Sequence, residues 1–124
     1  MAGEYFYPGR GYRHQDVVTL GGYWTMAGTT PTKANGRGWT VARTSAGVYT
    51  VTFDRTYVDY LSCDVSLATA ALTQLSPQFG PILVSTAKTL VIRTQTGGVA
   101  TEVASGDSVN FTIALLINNV GKGT

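Results

Sequence analysis

Apolar side chains recur at every second position over much of this chain, the period of half-buried β-strands. In residues 47–54, GVYTVTFD, Tyr49, Val51 and Phe53 share one face and Thr50 and Thr52 the other. In residues 60–68, YLSCDVSLA, the stripe Leu61, Cys63, Val65 and Leu67 alternates with Ser62, Asp64 and Ser66. Residues 108–118 gather Val109, Phe111, Ile113, Leu115 and Ile117 on one face. The other face starts polar, at Asn110 and Thr112, and turns apolar at Ala114 and Leu116. Weaker alternation marks residues 17–26, 39–44, 82–84, 89–95 and 99–103, which brings the expectation to about eight strands. No convincing helical period runs longer than about ten residues. Residues 69–76 allow one short helical turn, ended by Pro77, Gly80 and Pro81.

Turn chemistry separates these runs. Ser45-Ala46-Gly47 stands between two strands at hairpin spacing, Gly97-Gly98 between TLVIRTQ and VATEV, and Ser105-Gly106-Asp107 before the last strand. The stretch GTTPTKANG, residues 28–36, reads as a loop ending in Asn35-Gly36. Many short strands and few helices predict an all-β fold, an antiparallel jelly-roll-like β-sandwich, occupying residues 17–124. Residues 1–16 follow neither period. They are rich in Gly and Tyr, and we read them as an extended N-terminal arm whose Tyr5, Phe6, Tyr7 and Tyr12 are too apolar for a solvated tail. The arm or self-assembly is expected to cover an exposed sheet edge.

Composition narrows the function classes. The 124 residues suit one domain. Charged residues make up 13%, about half the usual share, while Thr numbers 19 and hydrophobic residues reach 44%. A net charge of +2 is no footprint for direct nucleic-acid binding. No apolar run is long enough for a membrane helix, and the first ten residues hold no secretion-type apolar core. One Cys excludes an intrachain disulfide, and one His excludes a multi-histidine zinc site. No cofactor is expected.

Candidate chemistry is sparse. His14 with Asp16 and a serine would make a triad, but both lie in or beside the arm, a poor platform for catalysis. Asp54, Asp59 and Asp64 supply carboxylates for a glycosidase pair, with nothing in the sequence to fix their separation. Cys63 lies on an apolar stripe, as a small buried hydrophobe would. Asn110-Phe111-Thr112 matches a glycosylation sequon but falls inside a strand. Trp24, Trp39, Tyr23 and Tyr49 are candidates for a sugar-binding groove or for core anchors. Trp24 shares parity with Val18, Leu20 and Met26, which favours core. Trp39 shares parity with both Val41 and Arg43, which leaves it open. Strands apolar on both faces, notably at Ala114 and Leu116, predict that a loop, the arm or another subunit covers the second face.

Two stretches, GWTVARTSAGVYTVTFDRTYVDYLSCDVSLATAA and KTLVIRTQTGGVATEVASGDSVNFTIALLINN, are similar to small virion structural proteins of tailed bacteriophages, of the head decoration or cement kind. The shared pattern comprises an aromatic-led VxRT strand (39–44), a G-x-YTVTF strand (47–53), an aromatic and Leu-Ser turn (57–62), a V-x-L strand (65–67), KTLxIRT (88–94) and a terminal strand (109–118). It covers roughly residues 16–118 and consists of strand patterns, so no functional residues transfer with it. The resemblance implies a non-enzymatic role as a capsid decoration protein, or a related capsid or tail accessory component, located in the virion and assembled in the bacterial cytoplasm. It also implies a major capsid protein or another virion protein as partner.

On that footing two functions are expected to compete, lattice attachment and a tail or fibre receptor-binding module (an adhesin). The aromatic arm and the two-faced apolar strands favour attachment. Tyr5, Phe6, Tyr7, Arg10, Tyr12 and Arg13 are the expected partner contacts: the aromatics supply area, the arginines charge-assisted hydrogen bonds. The same arm would serve equally well folded over its own sandwich. Ala114 and Leu116 are the expected oligomer interface, most simply of a homotrimer. No small-molecule substrate is expected.

Overall fold

The computed structural model describes residues 16–117. Apart from Asp16, the expected arm lies outside the described residues, as does the 118–124 tail. The described chain is all strand and turn. Its nine strands are β1 (Val17–Ala27), β2 (Thr30–Gly36), β3 (Trp39–Ser45), β4 (Val48–Phe53), β5 (Asp59–Ala68), β6 (Ser76–Leu83), β7 (Thr89–Thr96), β8 (Val99–Ala100) and β9 (Ser108–Leu116). They form two antiparallel sheets. One has the order β2-β1-β9-β5; the other is β3-β4-β7-β6, with the short β8 also paired to β7. The two pack face to face as a β-sandwich, as the alternation predicts.

Four expectations change. Residues 30–36 are a strand, paired with β1 from Gly22↔Gly36 to Ala27↔Thr30. Residues 69–75 contain no helical turn, and the strand expected at 82–84 begins earlier, at Ser76. The expected strand at 99–103 shortens to Val99–Ala100. The strand at β2 and the early start of β6 share a cause. β2 and β6 are edge strands, and an edge tolerates Pro31, Pro77 and Pro81 because half of its backbone groups meet no partner. In β6 the Gly80-Pro81 pair sits in a bulge between Phe79 and Ile82, which twists the edge and blocks further pairing.

The core is aromatic at its centre. Trp24, Trp39, Tyr49, Phe53 and Phe111 are fully buried with Val51, Leu90, Ile92, Ile113 and Leu115. The Trp39 and Phe111 rings meet edge to face at 4.9 Å, and Trp24 lies 5.7 Å from Tyr49 and 6.2 Å from both Trp39 and Phe111. Such edge contacts add to the burial of area, about 0.5–1.5 kcal/mol per pair. Trp39 Nε1 donates to the Gly21 carbonyl at 3.1 Å. That indole passes against Gly36, where a Cβ would stand 2.6 Å from Nε1 and φ is +127°, so only glycine fits. The bond ties the first strand of one sheet to the first strand of the other, just where Arg37-Gly38 carries the chain across.

Outward positions of the second sheet include a threonine row in cross-strand register, Thr40↔Thr52 and Thr52↔Thr89. Threonine satisfies β-propensity without adding charge.

Candidate functional site

The partner-binding residues expected from sequence, Tyr5, Phe6, Tyr7, Arg10, Tyr12 and Arg13, lie outside the described residues, as does His14. Ala114 and Leu116 lie on β9 with the outward parity of Asn110 and Thr112. Ala114 is half-buried. Leu116 is only 1% exposed in the single chain, so it offers another subunit almost no surface.

Apolar surface that does reach solvent lies close by, at one end of the sandwich. Val17 pairs with Leu116 at the start of β1, and Asp59 and Tyr60 pair with Leu116 and Leu115 at the start of β5. Leu83 closes β6 and pairs with Thr89. Val17, Tyr60, Leu61 and Leu83 are all exposed, Leu61 to 49%. This corrects the stripe expected along β5. The register shifts between Tyr60 and Ser62, so Leu61 is the extra residue of a β-bulge and leaves the apolar face, while Cys63, Val65 and Leu67 stay packed on the core. Both sheets are fastened together here by backbone bonds, Tyr57 N–H to the Val84 carbonyl at 2.9 Å and Val58 N–H to the Leu116 carbonyl at 2.8 Å. The described chain also enters and leaves here, with Ile117 N–H donating to the Asp16 carbonyl at 2.9 Å.

The opposite end is closed by polar groups that the sequence reading did not single out. Glu102 accepts from Arg43 Nε at 3.1 Å on both oxygens, from the Tyr49 hydroxyl at 3.0 Å and from Gly47 N–H at 3.3 Å. The Tyr49 hydroxyl in turn accepts from Val103 N–H at 3.1 Å. Burial, foremost, together with the Glu102 carboxylate, raises the Tyr49 pKa and keeps the phenol neutral. Beside it, buried Thr94 donates to the Thr101 carbonyl at 2.6 Å. This latch resolves the parity conflict at Trp39. Trp39, Val41 and Arg43 do share a face, but Arg43 lies at its open rim, where an inward arginine finds its acid.

The remaining candidates separate in space. Trp24, Trp39 and Tyr49 are core, so of the four aromatics weighed for a sugar groove only Tyr23 faces solvent. Asp59 and Asp64 stand beside Leu116 and Thr112, four residues apart along β9. At strand rise that is about 13 Å, beyond the separation of either glycosidase geometry. Asp59 Oδ1 accepts from Tyr60 N–H at 2.8 Å, and Asp54 is exposed beyond β4. No group of three metal-ligating side chains comes together among the described residues. Cys63 is half-buried, and burial, reinforced by the neighbouring Asp64 charge, pushes its thiol up to about 11. At neutral pH it is a thiol, the poorly nucleophilic form. Asn110 of the sequon is exposed in mid-strand.

No family model matches this chain, and no curated protein or solved structure matches it.

Proposed function

We propose that this chain is a non-enzymatic structural protein of a tailed-bacteriophage virion, acting as a capsid decoration (cement) protein. In this reading it binds the major capsid protein, or a neighbouring virion protein, and stabilises the head lattice as an oligomer, a homotrimer at the lattice three-fold positions. One observation carries the reading. Val17, Tyr60, Leu61 and Leu83 are exposed together at the end of the sandwich where the described chain begins at Asp16, whereas Leu72 and Val99 at the other end stand singly. The strand order supports the finer jelly-roll reading: first and last strands lie side by side in β1-β9-β5, opposite β4-β7-β6. The competing adhesin reading asked for a solvent-facing aromatic groove, and with Trp24, Trp39 and Tyr49 in the core it rests on Tyr23 alone.

The test is co-sedimentation of purified protein with DNA-filled heads that lack it. Three forms are compared: the full chain, a deletion of residues 2–14, and the Tyr60→Ser/Leu61→Ser variant. Attachment predicts that the full chain pellets with heads and that both altered forms stay folded but lose binding. Absence of the full chain from the head pellet overturns the proposal. A deletion that unfolds or aggregates assigns the arm to the fold and removes it from the binding surface. Light scattering on the free protein reads the oligomer, and a 13 kDa species there rejects a preformed trimer.

A further inference from the structure

We propose that the solvent face of the β2-β1-β9-β5 sheet carries a shallow binding groove for a neutral saccharide, with Tyr23 as its stacking wall. Two cross-strand rows build it. Tyr23, Asn110 and Ser66 stand abreast on β1, β9 and β5, and Gly21, Thr112 and Asp64 form the next row. The space they border is about 440 Å³, within the ordinary range for small-molecule sites. Gly22 borders it on β1, and the neighbouring Gly21 tolerates no side chain. A Cβ there would come within 2.5 Å of the Phe111 carbonyl oxygen and 2.9 Å of Thr112 Cγ2, so β1 has no side chain opposite Thr112. The span from β1 to β5 is two strand spacings, about 9.6 Å, the scale of a pyranose ring with its hydroxyls.

The chemistry of the lining selects the ligand. Tyr23, 38% exposed, lines the groove, and Asp64, Ser66, Asn110 and Thr112 are all exposed. Among the described residues none of these five side chains has a hydrogen-bond partner. Neighbouring polar pairs behave differently: Thr25 Oγ1 and Ser108 Oγ bond each other at 2.9 Å in the adjoining row, as do Thr44 and Thr50 at 2.7 Å on the other sheet. The groove therefore presents an amide, a carboxylate and three hydroxyls, all unspent, around an aromatic plane. That set matches a ligand with C–H faces and many hydroxyls. No Lys or Arg lines it, and Asp64 repels phosphate, sulfate and uronate groups, so an acidic chain is rejected. This site is independent of lattice attachment, since it lies on the sheet face, apart from the exposed apolar end.

The experiment is an amide chemical-shift titration of the full chain with neutral hexasaccharides of glucose (α- and β-linked), N-acetylglucosamine and galactose, with a heparin hexasaccharide as the acidic control. The expected result is that at least one neutral probe, at millimolar concentration, shifts residues 21–23, 64–66 and 110–112. Tyr23→Ala and Asp64→Asn each weaken that probe about tenfold, without lowering the melting temperature or the co-sedimentation with heads. Three results overturn it: no neutral probe moves these amides, Tyr23→Ala leaves the shifts unchanged, or heparin binds as well as the neutral chains. Burial of these amides on the head, with no saccharide binding in the free chain, assigns the face to a protein partner instead. Because the free chain is titrated, failure here leaves the attachment test standing.

Discussion

The two ends of the sandwich solve the same problem differently. At one end the rim is closed by a carboxylate. Glu102 gathers Arg43, Gly47 N–H and the Tyr49 hydroxyl, and the 101–103 segment is fastened across the mouth of the core. At the other end the sheets are joined by backbone bonds at Tyr57 and Val58, and Val17, Tyr60, Leu61 and Leu83 remain in water. The latched end also exposes Leu72 and Val99, but each stands on its own loop or hairpin. An end that satisfies its own polar groups needs nothing more, whereas an apolar end beside the chain entry is suited to contact. Stability and attachment should therefore divide between the ends.

The largest expected effect lies between them. Trp39→Ala empties a fully buried indole site and leaves the Gly21 carbonyl without its donor. A loss of about 3–5 kcal/mol is expected in urea denaturation. A loss under about 1 kcal/mol would mean that the sheets do not depend on this cross-tie.

Next comes the latch. Glu102→Ala removes an acceptor shared by three donors and should cost about 1–3 kcal/mol, with hydrogen exchange rising first in residues 99–104. If exchange rises at residues 57–61 instead, the ends are not independent. Tyr49→Phe should cost about 1–2 kcal/mol, because Glu102 keeps Arg43 and Gly47 as donors while the buried Val103 N–H loses its acceptor. It should also change the alkaline limb of stability. The folded state raises the Tyr49 pKa, so its contribution is complete below the ordinary tyrosine value near 10. It is lost as pH rises above that value, because the unfolded chain ionises first. The Phe variant should show a shallower alkaline decline, measured as melting temperature against pH.

The smallest effect on stability belongs to the apolar end. Leu61→Ser lies on an exposed bulge and should change unfolding by no more than about 0.5 kcal/mol while weakening attachment to heads. A large stability loss would show that this end serves the fold. Cys63 gives a parallel check on burial. With its thiol pushed up to about 11, it should react with a thiol reagent at pH 8 far more slowly than free cysteine, and at the free rate only in denaturant.

Alternation alone determined the all-β class, the inward sets on β4 and β9 and much of the core, because a strand with one buried face must write period two into its sequence. It also placed the exposed side of Asp64, Ser66, Asn110 and Thr112. Tertiary structure decided what period two cannot encode. Pro31, Pro77 and Pro81 sit in strands because β2 and β6 are edges, and being an edge is a property of the whole sheet. Leu61 reaches solvent because a bulge shifts the register of β5 against β9, and a register needs a partner strand. Glu102 meets Arg43 and Tyr49 across more than fifty residues of chain, with no local spacing to announce it. The groove likewise exists only where three strands from distant parts of the chain lie abreast, with a glycine opposite Thr112.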